Sequence, residues 1–101
     1  MRLTPSEIAA IKETADRHFG TATNVWLFGS RLDDEHRGGD IDLLVDTDLS
    51  DADAAVHAEI AFLAELKRRI GERKIDLLVD FPSRTSRPPV FRIARDQGVR
   101  L

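Results

Sequence analysis

The sequence predicts an α+β fold, a small mixed sheet of about three strands flanked by helices. Three observations carry that expectation. The hexapeptide IDLLVD occurs twice, at Ile41–Asp46 and Ile75–Asp80, and at strand spacing each copy puts its acids on one side and Ile, Leu and Val on the other. A further apolar run, Asn24–Phe28, ends at a glycine. Two longer stretches repeat apolar residues at helical spacing between clear start and stop signals.

Taken in chain order, Thr4-Pro5-Ser6-Glu7 opens the first helix. Thr4 is placed to cap, Pro5 stands at the first helical position where its missing N–H costs nothing, and Glu7 completes a capping box. Ile8, Ile11, Ala15 and Phe19 fall on one face, and Gly20 stops the helix. Asn24 to Phe28 reads as a buried strand ending at Gly29-Ser30. Arg31 to Gly39 is polar, with room for a short helical turn after Ser30 and a turn at Gly38-Gly39. Asp40 to Asp46 is the second strand. Ser50-Asp51-Ala52-Asp53 caps a long helix whose stripe includes Ala55, Val56, Ile60, Leu63, Leu66 and Ile70, and Gly71 ends it. Lys74 to Phe81 is the third strand, Pro82 to Pro89 an ordered loop, and Val90 to Gln97 a last short helix closed by Gly98. The two hexapeptides lie about 34 residues apart with unlike flanks, so they are two strands of one sheet rather than units of a solenoid. The helix between them makes those strands parallel.

With 101 residues the chain is read as one domain, 1–101, with one modest core. Apolar residues at 42% and charged residues at 33% describe an ordinary globular protein. A net charge of −3 argues against a protein that wraps long nucleic acid. The chain has no cysteine, which excludes disulfides and thiolate metal sites and suits a reducing compartment. No apolar run approaches the roughly 20 residues of a membrane span, and no signal peptide is visible after Met1, so the expected location is the cytoplasm.

The chemistry gathers on the acidic faces of the repeated strands. Asp40, Asp42, Leu44 and Asp46 share one face of the first copy, and Asp76, Leu78 and Asp80 share one face of the second. Side by side in similar register, Asp42 and Asp76 become neighbours with Asp40 one pleat away. Three converging carboxylates repel one another unless a cation intervenes. A hard divalent ion resolves that conflict, and Mg²⁺ is the usual choice where phosphates complete the shell. Asp46 and Asp80 read instead as turn residues or edge charges. Ahead of the Asp-x-Asp strand, Gly29 allows close approach of a ligand to backbone, Ser30 offers hydroxyl and N–H groups to phosphate, and Arg31 adds a cation.

Gly29-Ser30, nine intervening residues, Asp40-Ile41-Asp42 and then Asp76 on a later strand resemble the DNA polymerase beta-like nucleotidyltransferase superfamily. Within it the chain most resembles the minimal nucleotidyltransferases (MNT proteins), over roughly Val25 to Asp80. The resemblance implies a polymerase beta-like fold and transfer of a nucleoside monophosphate, AMP from ATP, to a hydroxyl. It implies metal binding and catalysis at Asp40, Asp42 and Asp76 with two Mg²⁺ ions, and triphosphate binding at Gly29 and Ser30, with Arg31 beside them. Asp76 is then the group to activate the acceptor hydroxyl. It also implies a HEPN-domain partner encoded nearby, for which the chain acts as antitoxin in a toxin–antitoxin pair, and it leaves homo- and hetero-oligomers both open. Where many relatives follow Gly-Ser with a small residue and Arg-Gly, this chain has Arg31-Leu32-Asp33-Asp34-Glu35-His36-Arg37, leaving Arg31 and Arg37 as the nearby cations. That departure keeps a second expectation alive, a catalytically weak module that neutralises its partner by binding. The length leaves no room for template-gripping subdomains or a pocket for a small acceptor such as an aminoglycoside.

Other residues are assigned plain roles. His18, His36 and His57 are too scattered to bind metal, and Trp26 packs in the sheet. Lys67, Arg68, Arg69, Arg73 and Lys74 read as a solvated helix terminus that complements the dipole.

Overall fold

The computed structural model describes residues 3–29 and 41–101. Among them the elements run α1 (Pro5–Phe19), β1 (Asn24–Phe28), β2 (Ile41–Asp46), α2 (Ala52–Ile70), β3 (Ile75–Asp80), α3 (Pro89–Gln97) and β4 (Val99–Arg100). The strands form a mixed sheet in the order β3-β2-β1-β4. The fold is the small α+β architecture expected. The repeated hexapeptides pair in parallel, residue for residue, from Ile41 against Ile75 to Asp46 against Asp80. β1 runs antiparallel to both β2 and β4.

The fourth strand is an addition to the three expected. It exists because Gly98 turns α3 straight back onto the sheet: a Cβ there would lie 2.2 Å from the Ala94 carbonyl oxygen and 2.9 Å from that of Leu27. Only a glycine passes so close to two backbones. The chain then continues beside β1, and the Leu101 amide donates to the Val25 carbonyl at 2.9 Å.

Helix starts follow their caps. Thr4 accepts from the Glu7 amide at 3.1 Å while the Glu7 carboxylate accepts from the Thr4 amide at 2.9 Å, closing the capping box. Asp51 caps α2 through the Ala54 amide at 2.7 Å. Both helices lie on the aliphatic face of the strands, where Ile41, Leu43 and Val45 are fully buried with Ile11, Phe19, Phe62 and Leu66. The Phe19 and Phe62 rings meet at 5.5 Å in a tilted pair. Ion pairs lace α1 to the end of α2: Arg69 to Glu13 at 2.8 Å, Arg17 to Glu65 at 2.5 Å, and Arg73, just beyond α2, to Glu7 at 2.6 Å. Part of the basic cluster is therefore spent on helix–helix contact rather than solvated.

The buried stripe of α2 is Ala55, Ala58, Phe62 and Leu66. Val56 and Ile60, expected in that stripe, are 52% and 63% exposed. α1 takes one flank of α2, and the sheet stops at β3, so the opposite flank overhangs the sheet edge with nothing among the described residues to cover it.

Candidate active site

The acidic face of the sheet is organised in three rows, because residues paired across strands share a face. Phe28, Asp42 and Asp76 form the first row, Trp26, Leu44 and Leu78 the second, and Asn24, Asp46 and Asp80 the third. α3 covers the second and third rows. Its Phe91 and Ala94 bury Leu44 completely, with Trp26, Phe28 and Leu78 packed around them. Of the first row, Phe28 packs against this cluster, while Asp42 and Asp76 sit at the end of the sheet where β1 gives out at Gly29.

The third row is a closed ionic cluster. Asp80 is 3% exposed. Its Oδ1 accepts from Arg87 Nε and its Oδ2 from Arg95 Nη2, both at 2.8 Å. Arg95 also stands 3.3 Å from Asp46 Oδ2, and its guanidinium lies over the Trp26 ring at 5.6 Å. The reading of Asp80 as a turn or edge charge is thus corrected: it is a buried carboxylate that anchors α3 and the loop before it. Its partners stand 7 and 15 residues downstream, at no spacing that a strand or helix pattern would have picked out.

Asp42 and Asp76 are direct partners in the parallel ladder, which sets their backbones about 4.8 Å apart. Asp42 is half-buried and Asp76 exposed. No described residue forms an ion pair with Asp76. Gly29 has φ +75°, and a Cβ on it would fall 2.3 Å from Asp42 Oδ2. The chain leaving β1 therefore rests against the Asp42 carboxylate, which only a glycine permits.

The lateral pairing of Asp42 with Asp76 and the adjacency of Gly29 match the expectation from sequence. Asp40, Ser30 and Arg31 lie outside the described residues. Phe28, which sequence reasoning passed over, is the apolar member of the same row, and its pairing with Asp42 follows from the β1–β2 register. Among the described residues no group of three acidic, histidine or cysteine side chains is gathered as a metal cluster. The donor set nonetheless fits a hard divalent cation: two carboxylates in register, one held against a glycine backbone, on neighbouring strands. Among the histidines, His18 Nε2 lies 2.8 Å from Glu65 on the opposite face, and His57 is exposed on α2.

No helix among the described residues is long and apolar enough to cross a membrane. A family model described as a nucleotidyltransferase domain matches residues 8–97. That span takes in α1 from Ile8 onward, all the described rows of the acidic face and the whole of α3. No curated protein matches the chain.

Proposed function

The chain belongs to the nucleotidyltransferase domain family, and from that premise we propose that it transfers AMP from ATP to a hydroxyl at the open row of the acidic face. The observation that carries this reading is the Asp42–Asp76 ladder pair beside Gly29. Asp42 and Asp76, with Asp40, would hold Mg²⁺ through carboxylate oxygens, where it would offset the charge of the triphosphate and lower the pKa of an attacking hydroxyl. Gly29 and Ser30 present backbone N–H groups and a hydroxyl to the phosphates, and Arg31 adds positive charge.

Asp76 is the exposed member of the pair and takes the proton from the acceptor. The acceptor oxygen then bonds to the α-phosphorus as the bridge to the β-phosphate breaks, and pyrophosphate leaves. The described chain offers this site a sheet face and one short helix but no second wall, so the acceptor hydroxyl is supplied by another macromolecule. We assign it to a side chain of a HEPN-type partner, whose toxicity the modification removes. The chain is then the antitoxin of a pair, working in the cytoplasm.

The test is incubation with α-labelled ATP and Mg²⁺, with and without the product of the neighbouring gene, beside Asp42→Asn and Asp76→Asn. Label reaching the partner only with the native aspartates is the expected result. A tight complex that neutralises the partner without any label, and that tolerates both substitutions, would replace this reading with the binding module that the Arg31–Arg37 segment keeps in play.

A further inference from the structure

β3 is the last strand of the sheet, and among the described residues its outer edge is covered at one end only. The amides of Ile41 and Thr47 bond to the carbonyls of Lys74 and Asp80. In the parallel register this turns the even-numbered residues of β3 toward β2 and points the backbone groups of Ile75, Leu77 and Val79 outward. Arg84 Nη1 donates to the Val79 carbonyl at 3.3 Å, and the Arg84 amide and Arg87 Nη2 donate to that of Phe81 at 3.1 and 3.2 Å. Ile75 and Leu77 have no such cover among the described residues.

Alongside this edge runs the flank of α2 that faces away from α1. It carries the exposed Val56 and Ile60, the partly buried Leu63, and Lys67 one turn further on. Glu59 stands on the same flank and lines a cavity of about 250 Å³ between α2, β3 and Arg84. Burial pushes its carboxyl above the ordinary range, against the pull of the Arg84 guanidinium. An apolar helix flank beside an open strand edge is a surface that natural sheets normally cover.

We propose that a second copy of this chain covers it, with β3 against β3 in antiparallel register across a two-fold axis and the two α2 flanks side by side beneath the seam. The charge distribution of α2 selects that occupant. The helix is acidic at its start, with Asp51, Asp53 and Glu59, and basic at its end, with Lys67 and Arg68 followed by Lys74. A two-fold lays each acidic half along the partner's basic half, and it brings Glu59 of one copy toward Lys67 of the other. A parallel arrangement would set like charge against like. The interface is isologous, so it closes at two copies instead of growing into a filament. Because the open backbone edge is short, the α2 stripe supplies most of the association. Both Asp42–Asp76 rows then lie on the same face of one continuous sheet. None of this depends on the reaction assigned above.

Sedimentation equilibrium of the full chain tests it, with far-UV circular dichroism confirming that each variant is folded. The native chain should dimerise. Ile60→Asp, at a solvent-facing position, should weaken the dimer by about tenfold or more, or about 1.4 kcal/mol. Glu59→Lys and Lys67→Glu should each weaken it, and the double variant should regain most of the loss. A chain that stays monomeric up to its solubility limit overturns the proposal and leaves the flank to a different partner. A dimer indifferent to all of these changes overturns it as well, because it would form through another surface.

Discussion

Gly29 and Asp80 are the two residues where the acidic face is least forgiving, for opposite reasons. At Gly29 both the positive φ and the contact with Asp42 exclude a side chain. Gly29→Ala should lower stability by about 1–3 kcal/mol, read from the urea midpoint, and should displace the Asp42 carboxylate enough to abolish label transfer. At Asp80 the side chain is required. Asp80→Asn leaves Arg87 and Arg95 facing a neutral amide in a buried cluster. Removing one partner of such a pair costs about 3–5 kcal/mol when it is fully buried. The two arginines are 42% and 33% exposed at the side chain, so about 2 kcal/mol is the expectation, measured by thermal denaturation. The same change two rows away should behave differently. Asp76→Asn removes a charge from beside another carboxylate and should leave the metal-free protein within about 0.5 kcal/mol of native or slightly more stable, while transfer is lost. A strongly destabilised Asp76→Asn protein would mean that Asp76, like Asp80, serves the fold.

Between elements, the α1–α2 contact is pinned by Glu65, which meets His18 and Arg17 together. The hydrogen bond from His18, and then the Arg17 guanidinium, hold the Glu65 carboxyl below its ordinary value of 4.5. A carboxyl depressed in the folded state stabilises it fully above the unfolded value, and that contribution fades as pH falls through the folded one. Glu65→Gln should therefore cost stability at neutral pH and flatten the acid limb below 4.5, seen in urea midpoints taken across pH. Glu59 runs the other way. Its carboxyl is raised, so acidification relieves the cost of its charge, and Glu59→Gln should remove a small gain on that limb. This scale also shows what the sequence made legible. The alternation inside IDLLVD disclosed both faces, and the identity of the copies disclosed the Asp42–Asp76 register. The flank of α2 was not legible, since Val56 and Ile60 fit a helical stripe whose burial depends on where the sheet ends. Nor was β4, which depends on a close backbone passage at Gly98 rather than on any run of strand-forming residues.

For the molecule as a whole, the sheet separates a packed side from a working side. ATP and Mg²⁺ should slow amide exchange at the end of β1 and the starts of β2 and β3, leaving α1 and α2 unchanged; protection confined to the helices would place the nucleotide elsewhere. The proposed dimer keeps this separation, because the two-fold preserves which face is which. Identical parallel strands have a further consequence, one for how the chain finds its structure. Either hexapeptide can take the other's slot and offer β1 the same ladder and the same side chains. The difference between the correct and exchanged arrangements lies in the lengths of the connections and in the arginines that reach Asp80. Chains that paired β1 with the later copy would be kinetic decoys, and they would have to open before they could correct. Refolding followed by Trp26, the single tryptophan and a β1 residue opposite Leu44, should show a slow minor phase. Leu77→Ile, which makes the copies unlike at little cost in volume, should shrink that phase and leave the native signal in place.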